Sequence, residues 1–181
     1  MIQITLAVTG SISAYKAADI TSQLGKLGYT VSILMTEAAS HFITPLTLQV
    51  LSKNPVTLDI MEEPWPDKVN HIEIAKKTNL FLVAPATANT IAKLANGLAD
   101  NMVTATALAL PSHVKKVIAP AMNTKMYEHP IVQRNMRQLQ AVDVQFIEPA
   151  YGELACNTVG KGRMEEPENI VAFLKDYFEE N

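Results

Sequence analysis

Two stretches of small polar residues carry the first chemical signal. Val8-Thr9-Gly10-Ser11-Ile12-Ser13-Ala14-Tyr15 combines one glycine, which lets a backbone approach an anion, with the hydroxyls of Ser11 and Ser13. Placed between a strand and a helix, it adds the unpaired amides and positive dipole end of that helix, the makings of a phosphate cradle; the structural alternative is an ordinary turn and N-cap, which also favour Gly and Ser. It is not a dinucleotide or P-loop fingerprint, because no second glycine follows before Gly25. A monophosphate suits it better than a pyrophosphate. The second stretch, Val83-Ala84-Pro85-Ala86-Thr87-Ala88-Asn89-Thr90, pairs small residues such as Ala86, which admit a flat ring, with Thr87 and Asn89, which can hydrogen-bond a polar edge. Helix capping is the structural alternative for Thr87 or Asn89, and also for Thr36, whose hydroxyl would otherwise face the same crevice. Three single residues have reactive types: His71, Asn123 and Cys156. Their default roles are a solvated or capping imidazole, a turn amide and a small apolar filler.

These groups need a scaffold that brings them to one edge. Short β-branched runs alternate with amphipathic stretches, the pattern of a parallel sheet covered by helices. Strands are expected at about 2–9, 31–36, 55–59, 80–84, 115–119 and 143–147. Ala17, Ile20, Leu24 and Leu27 predict a helix over about 13–27, stopped by a left-handed Gly28. Ile91, Leu94, Ala95 and Leu98 predict a helix after the fourth strand, and Val132, Met136 and Leu139 one before the sixth. Residues 101–107 form a small-residue helix, and the last helix starts near Pro167. The expected fold is therefore α/β: a Rossmann-like, flavodoxin-like three-layer domain with a mainly parallel six-stranded sheet. Ligands of such sheets bind at the carboxyl edge. A single domain over 1–181 is expected, with an irregular, mobile flap at about 150–165.

The 181 residues carry a net charge of −3, with Lys and Arg scattered, which argues against nucleic acid. No apolar run approaches the ~18 residues of a membrane span and the N-terminus lacks signal-peptide features, so a cytoplasmic chain is expected. A single cysteine with no second thiol or His pair at zinc spacing points away from a disulfide and a metal.

Five segments together resemble the homo-oligomeric flavin-containing cysteine decarboxylases: Thr9 to Lys16, Met35 to Val50, Asn70 to Thr106, Pro120 to Tyr127 and Ala155 to Met164. Pro120-Ala121-Met122-Asn123-Thr124-Lys125-Met126-Tyr127 is similar to the family's P-x-M-N-x-x-M-[WY] substrate motif. The resemblance implies FMN, with its phosphate on Gly10, Ser11 and Ile12, and Thr36, Ala86, Thr87, Asn89 and Thr104 among further flavin contacts. It implies His71 as the active-site histidine, Asn123 as the asparagine that holds substrate, Met126 beside it, and Cys156 as the flap cysteine. Asn157 stands where the family commonly has Gly. Lys161 and Arg163 are candidates for the substrate phosphate, or members of a solvated loop.

The implied chemistry is oxidation of a cysteinyl thiol to a thioaldehyde, loss of carbon dioxide, and re-reduction. Phosphopantothenoylcysteine is the expected substrate, with Cys156 the proton donor of the reductive half. Two alternatives stand beside it: an oxidative decarboxylase of a peptide C-terminal cysteine, and a catalytically silent flavin-binding regulatory subunit. The resemblance further implies a homotrimer or trimer-based dodecamer. A synthetase, which would make the substrate, is expected on a separate polypeptide.

Overall fold

The computed structural model describes residues 2–64, 66–153 and 159–180. From the N-terminus, β1 (Gln3–Val8) passes through a short 3-10 turn (Ile12–Tyr15) into α1 (Lys16–Lys26), β2 (Thr30–Met35), α2 (Glu37–Ser40), α3 (Pro45–Ser52) and β3 (Val56–Thr57). Next come α4 (Asn70–Lys77), β4 (Leu80–Ala86), α5 (Ala88–Ala95), α6 (Met102–Ala109), β5 (Lys115–Pro120), α7 (Thr124–Tyr127), α8 (Pro130–Gln140) and β6 (Val144–Phe146). A hairpin, β7 (Ala150–Glu153) and β8 (Val159–Arg163), precedes α9 (Pro167–Glu180).

Six strands pair in the order β3-β2-β1-β4-β5-β6, parallel throughout, so every carboxyl end lies on one edge. The order reverses between β1 and β4, the switch point where such sheets open a crevice. Alternation along the strands splits the core in two. Ile4, Leu6, Val8, Leu82 and Ala84 face the helices α1, α3 and α9, which contribute Ile20, Leu48 and Leu174. Ala7, Phe81, Val83 and Ile118 face the other layer, where α5, α6 and α8 contribute Ile91, Val103 and Met136. Each fully buried Leu or Ile is worth about 1.5–3 kcal/mol, more than the ~1 kcal/mol of a typical cap, so the two apolar layers hold the sheet edge in place.

Gly28 ends the first helical stretch with φ +85°, as its position predicts. Other expectations are corrected. The helix expected over 13–27 begins as a 3-10 turn over Ile12–Tyr15, capped by Ser11, which accepts the Ser13 N–H at 3.3 Å. The helix after β4 stops at Ala95, since Gly97 takes φ +68°, and Leu98 is left exposed rather than on its apolar face. The third strand has only two residues. Within the stretch expected to be irregular, Ala150–Glu153 and Val159–Arg163 form the antiparallel pair β7–β8, with Gly152 opposite Gly160, while 154–158 lie outside the described residues. Its glycines hid the strand pattern, because they carry no side chain to alternate. Among the described residues, no helix is long and apolar enough to cross a membrane.

Candidate active site

Thr9 ties the switch point together. Its buried hydroxyl donates to the Pro85 carbonyl at 2.7 Å and accepts the Thr87 N–H at 3.1 Å. The carboxyl ends of β1 and β4 are thereby held at fixed separation. Beside them opens a cleft of about 410 Å³ lined in part by Gly10, Thr36, Ala38, Thr87, Asn89 and Asn101. Lys93 and Asp100 form one wall through a 2.5 Å ion pair, and that hydrogen bond from Lys93 holds the Asp100 carboxyl below its usual range.

Gly10 is required here for a reason the sequence did not carry. A Cβ on it would sit 2.5 Å from Ala38 Cβ, so the glycine lets α2 close against the turn. The threonines of the cleft are caps as well as wall. Thr36 Oγ1 accepts the Ala39 N–H at 3.3 Å, and Thr87 Oγ1 accepts the Thr90 N–H at 3.2 Å. A hydroxyl that accepts from its own helix still has a proton to donate; Thr87 gives its proton to Thr90 Oγ1 at 3.1 Å. Ser11 serves the turn as its cap, and Ile12 next to it is 59% exposed. Ala86 is fully buried at the end of β4. Thr104 is also fully buried and closes a capping box with Asn101, so it supports the cleft wall rather than lining it.

A second group of candidates follows β5. Asn123 caps α7, its Oδ1 accepting the Lys125 N–H at 2.8 Å. Strand β8 lies against this segment: the Met122 N–H donates to the Gly162 carbonyl at 3.0 Å. No side chain could replace either glycine of β8. A Cβ at Gly160 would meet Thr124 Oγ1 at 2.4 Å, and one at Gly162, where φ is +148°, would meet the Met122 carbonyl at 2.3 Å. Met126 is half-exposed next to Ile131 and Val132. Lys161 pairs with Glu148 and lies 5.7 Å over the Tyr127 ring, while Arg163 pairs with Glu166 at 2.7 Å. Both cations stay largely in solvent, 43% and 44% exposed, so each is held by a surface ion pair. Burial first, then the Glu148 charge, pushes the Tyr127 phenol up to about 12.

His71 stands in the first turn of α4, where the preceding Asn70 N–H donates to Glu63 at 2.7 Å. Its Nδ1 is buried without a hydrogen-bond partner among the described residues, as is Thr124 Oγ1. Buried polar atoms are nearly always paired, so both mark places where a further group would bond. Cys156 lies outside the described residues. Sequence reasoning missed Thr9, Lys16 and Glu166. Lys16 Nζ, almost fully buried, bonds the Met164 carbonyl at 3.1 Å and Glu166 at 2.9 Å. The hydrogen bond from Lys16 is the main cause that lowers the Glu166 pKa. A lysine following a phosphate turn on an apolar helix face was the only available hint.

A parallel sheet with a polar cleft at its switch point defines the class, and comparison with known proteins specifies it: the chain matches the flavoprotein family over residues 1–179 and belongs to that family. It is 55% identical to a probable phosphopantothenoylcysteine decarboxylase of Streptococcus mutans, over 96% of this chain and 97% of that one. It is 50% identical to a coenzyme A biosynthesis bifunctional protein of Bacillus subtilis, covering 98% of this chain but 43% of that protein. Among solved structures, a PPC decarboxylase mutant complexed with pantothenoylaminoethenethiol superposes with TM-score 0.87, at 29% identity and 98% coverage of both chains. The FMN-binding protein AtHal3 gives TM-score 0.85 at 29% identity, covering 99% of this chain and 98% of that one.

A flavin fits the residues present. A cleft of about 410 Å³ falls within the ~300–1,000 Å³ of ligand pockets, and its hydroxyls and amides match a ring edge of carbonyls and imide N–H.

Proposed function

We propose that this chain uses FMN to decarboxylate 4′-phosphopantothenoylcysteine to 4′-phosphopantetheine, in the cytoplasm and in coenzyme A biosynthesis. The observation that carries this reading is the meeting, on one carboxyl edge, of the switch-point cleft with a P-A-M-N-T-K-M-Y segment gripped by β8. The 55% identity to a probable enzyme of that name and the likeness to a structure holding pantothenoylaminoethenethiol support the substrate. The likeness to an FMN-binding protein, and a turn with one glycine, support FMN over a dinucleotide.

The chemistry needs an electron sink, because a carboxylate beside an amide has none. Bound FMN would supply a two-electron sink for the substrate thiol, and the same pair would be available for re-reduction once carbon dioxide has left. In the oxidised substrate the C=S group accepts the electron pair of the breaking carbon–carbon bond, leaving an enethiolate. The chain's own residues do the rest. Asn123 holds the carboxylate with its amide donor end, whose orientation is set by the Oδ1 bond to Lys125. His71, whose Nδ1 awaits a partner, manages a proton in the oxidative half. Cys156 supplies the proton that the carbon takes up as the enethiol is reduced. Gly10, Ser11 and Ile12 hold the cofactor phosphate; Thr36, Ala86, Thr87, Asn89 and Thr104 form or back its ring site. Met126, Lys161 and Arg163 flank the substrate, the two cations toward its phosphate. The ligation that makes the substrate belongs to a synthetase outside these 181 residues, consistent with coverage of 43% of the bifunctional relative.

We further infer a trimer-based assembly. Leu46 and Val50, four residues apart on α3, are 66% and 67% exposed, and Phe42 in the preceding turn is 48% exposed, apolar surface that a second copy would cover. The function is tested by offering phosphopantothenoylcysteine and a peptide ending in cysteine and weighing the products. Saturated 4′-phosphopantetheine from the first alone is expected. Enethiol peptide from the second would move the chain to the peptide decarboxylases, and binding without turnover would make it a regulatory subunit.

A further inference from the structure

Lys16 is a charged side chain that does not reach for water. It is 4% exposed at the start of α1, immediately after the turn that begins at Gly10. An ammonium taken out of water is costly unless closely paired, and Lys16 is paired across the fold rather than within its own helix. Its Nζ donates to the Met164 carbonyl at 3.1 Å and meets Glu166 Oε2 at 2.9 Å. The other oxygen of that carboxylate, Oε1, takes Arg163 Nη2 at 2.7 Å. One carboxylate thus joins a cation from the phosphate turn to a cation from β8.

Strand β8 is held from the opposite side as well. Gly162 accepts the Met122 N–H, and Gly160 lies against Thr124, so its glycines are pressed onto the segment that contains Asn123. The strand is therefore gripped between the turn after β1 and the segment after β5. Its pairing partner β7 belongs to the hairpin, not to the main sheet, so the sheet does not position β8 directly.

We propose that Lys16 is a positioning residue for substrate: through Met164 and Glu166 it sets β8, and with it Arg163 and the Asn123 segment, in register with the phosphate turn. This rests on the reading of the turn as the cofactor phosphate site and of the Asn123 segment as the substrate site. Lys16 does not line the cleft; its ammonium is turned to Met164 and Glu166. It converts the position of one loop into the position of the other, a displacement of about 1 Å being enough to cost roughly a hundredfold in rate.

The experiment uses the holoprotein and the variants Lys16→Met, Lys16→Arg and Glu166→Gln. Two readouts are taken: amide hydrogen exchange, and KM and kcat for phosphopantothenoylcysteine beside flavin affinity. In Lys16→Met, exchange is expected to rise across 159–164 and 122–124 while β1 and β4 keep their protection, and KM to rise about tenfold with flavin affinity held within about threefold. Lys16→Arg, keeping the charge, recovers part of the KM. Should Lys16→Met fail to fold, Glu166→Gln carries the same two readouts. A merely structural lysine would lower the unfolding temperature and leave the KM of the surviving holoenzyme unchanged; that result, or unchanged exchange in β8, overturns the proposal. A wild-type protein that turns over no phosphopantothenoylcysteine sinks the functional reading instead, and the exchange arm then still decides whether Lys16 sets β8.

Discussion

Tyr127 keeps its proton far above neutrality because it is buried beside a carboxylate. Both effects disfavour the phenolate, and the phenol ionises at about 12. A raised tyrosine pKa means that the folded state favours the neutral form. Its stabilising contribution is complete below the unfolded value of about 10 and is lost as pH rises through about 12. Ultraviolet titration should therefore resolve one phenol ionising at about 12, absent in Tyr127→Phe; a titration identical in both proteins would contradict the burial. His71 is a chemical rather than a structural residue in this account. His71→Asn should retain flavin, lose about 10²–10⁴ in kcat, and suppress the first bleaching of the flavin by substrate, read by stopped-flow absorbance. Unaltered bleaching would remove His71 from the oxidative half. At this scale the sequence was partly legible. Gly10, Thr36, Thr87 and Asn89 could be assigned to one crevice because each follows the carboxyl end of a strand in a parallel sheet, and all four line the cleft. Thr104 differs because a capping box consumes it, and Lys16 and Glu166 escaped notice because nothing local links residues so distant in the chain.

Beyond the parallel ladder that pairs β1 with β4, the Thr9 hydroxyl makes two further bonds between the chain after β1 and the end of β4. Replacing it with Val keeps the shape but leaves the Pro85 carbonyl and the Thr87 N–H without their partner. A buried unsatisfied group costs about 1–3 kcal/mol. Thr9→Val should therefore lower the unfolding free energy by about 2 kcal/mol in urea and weaken flavin retention, because the end of β4 beside the cleft loses its tie to the turn after β1. Full stability with full flavin content would contradict the stitch. The long periodic elements were readable: β1, buried at five of its six positions, and α1 with its Gly28 stop follow directly from apolar spacing. The short ones were not. β3 has two residues, and β7–β8 is built on glycines that pack by lacking side chains, a tertiary requirement invisible to periodicity.

At the scale of the whole molecule, Phe42, Leu46 and Val50 are among several large apolar side chains that a lone chain leaves exposed. Sedimentation equilibrium should give a mass that is a multiple of three chains, and Leu46→Glu with Val50→Glu should dissociate it; a monomer at micromolar concentration would contradict the assembly. We propose that cleft, histidine and asparagine together run a redox-neutral decarboxylation. The most direct measurement of this is one anaerobic turnover, with the flavin absorbance followed after mixing the holoprotein with an equal amount of phosphopantothenoylcysteine. Bleaching that then recovers, with one carbon dioxide and one 4′-phosphopantetheine per flavin, is the predicted result. Bleaching that persists with an enethiol product, or no bleaching at all, would contradict it.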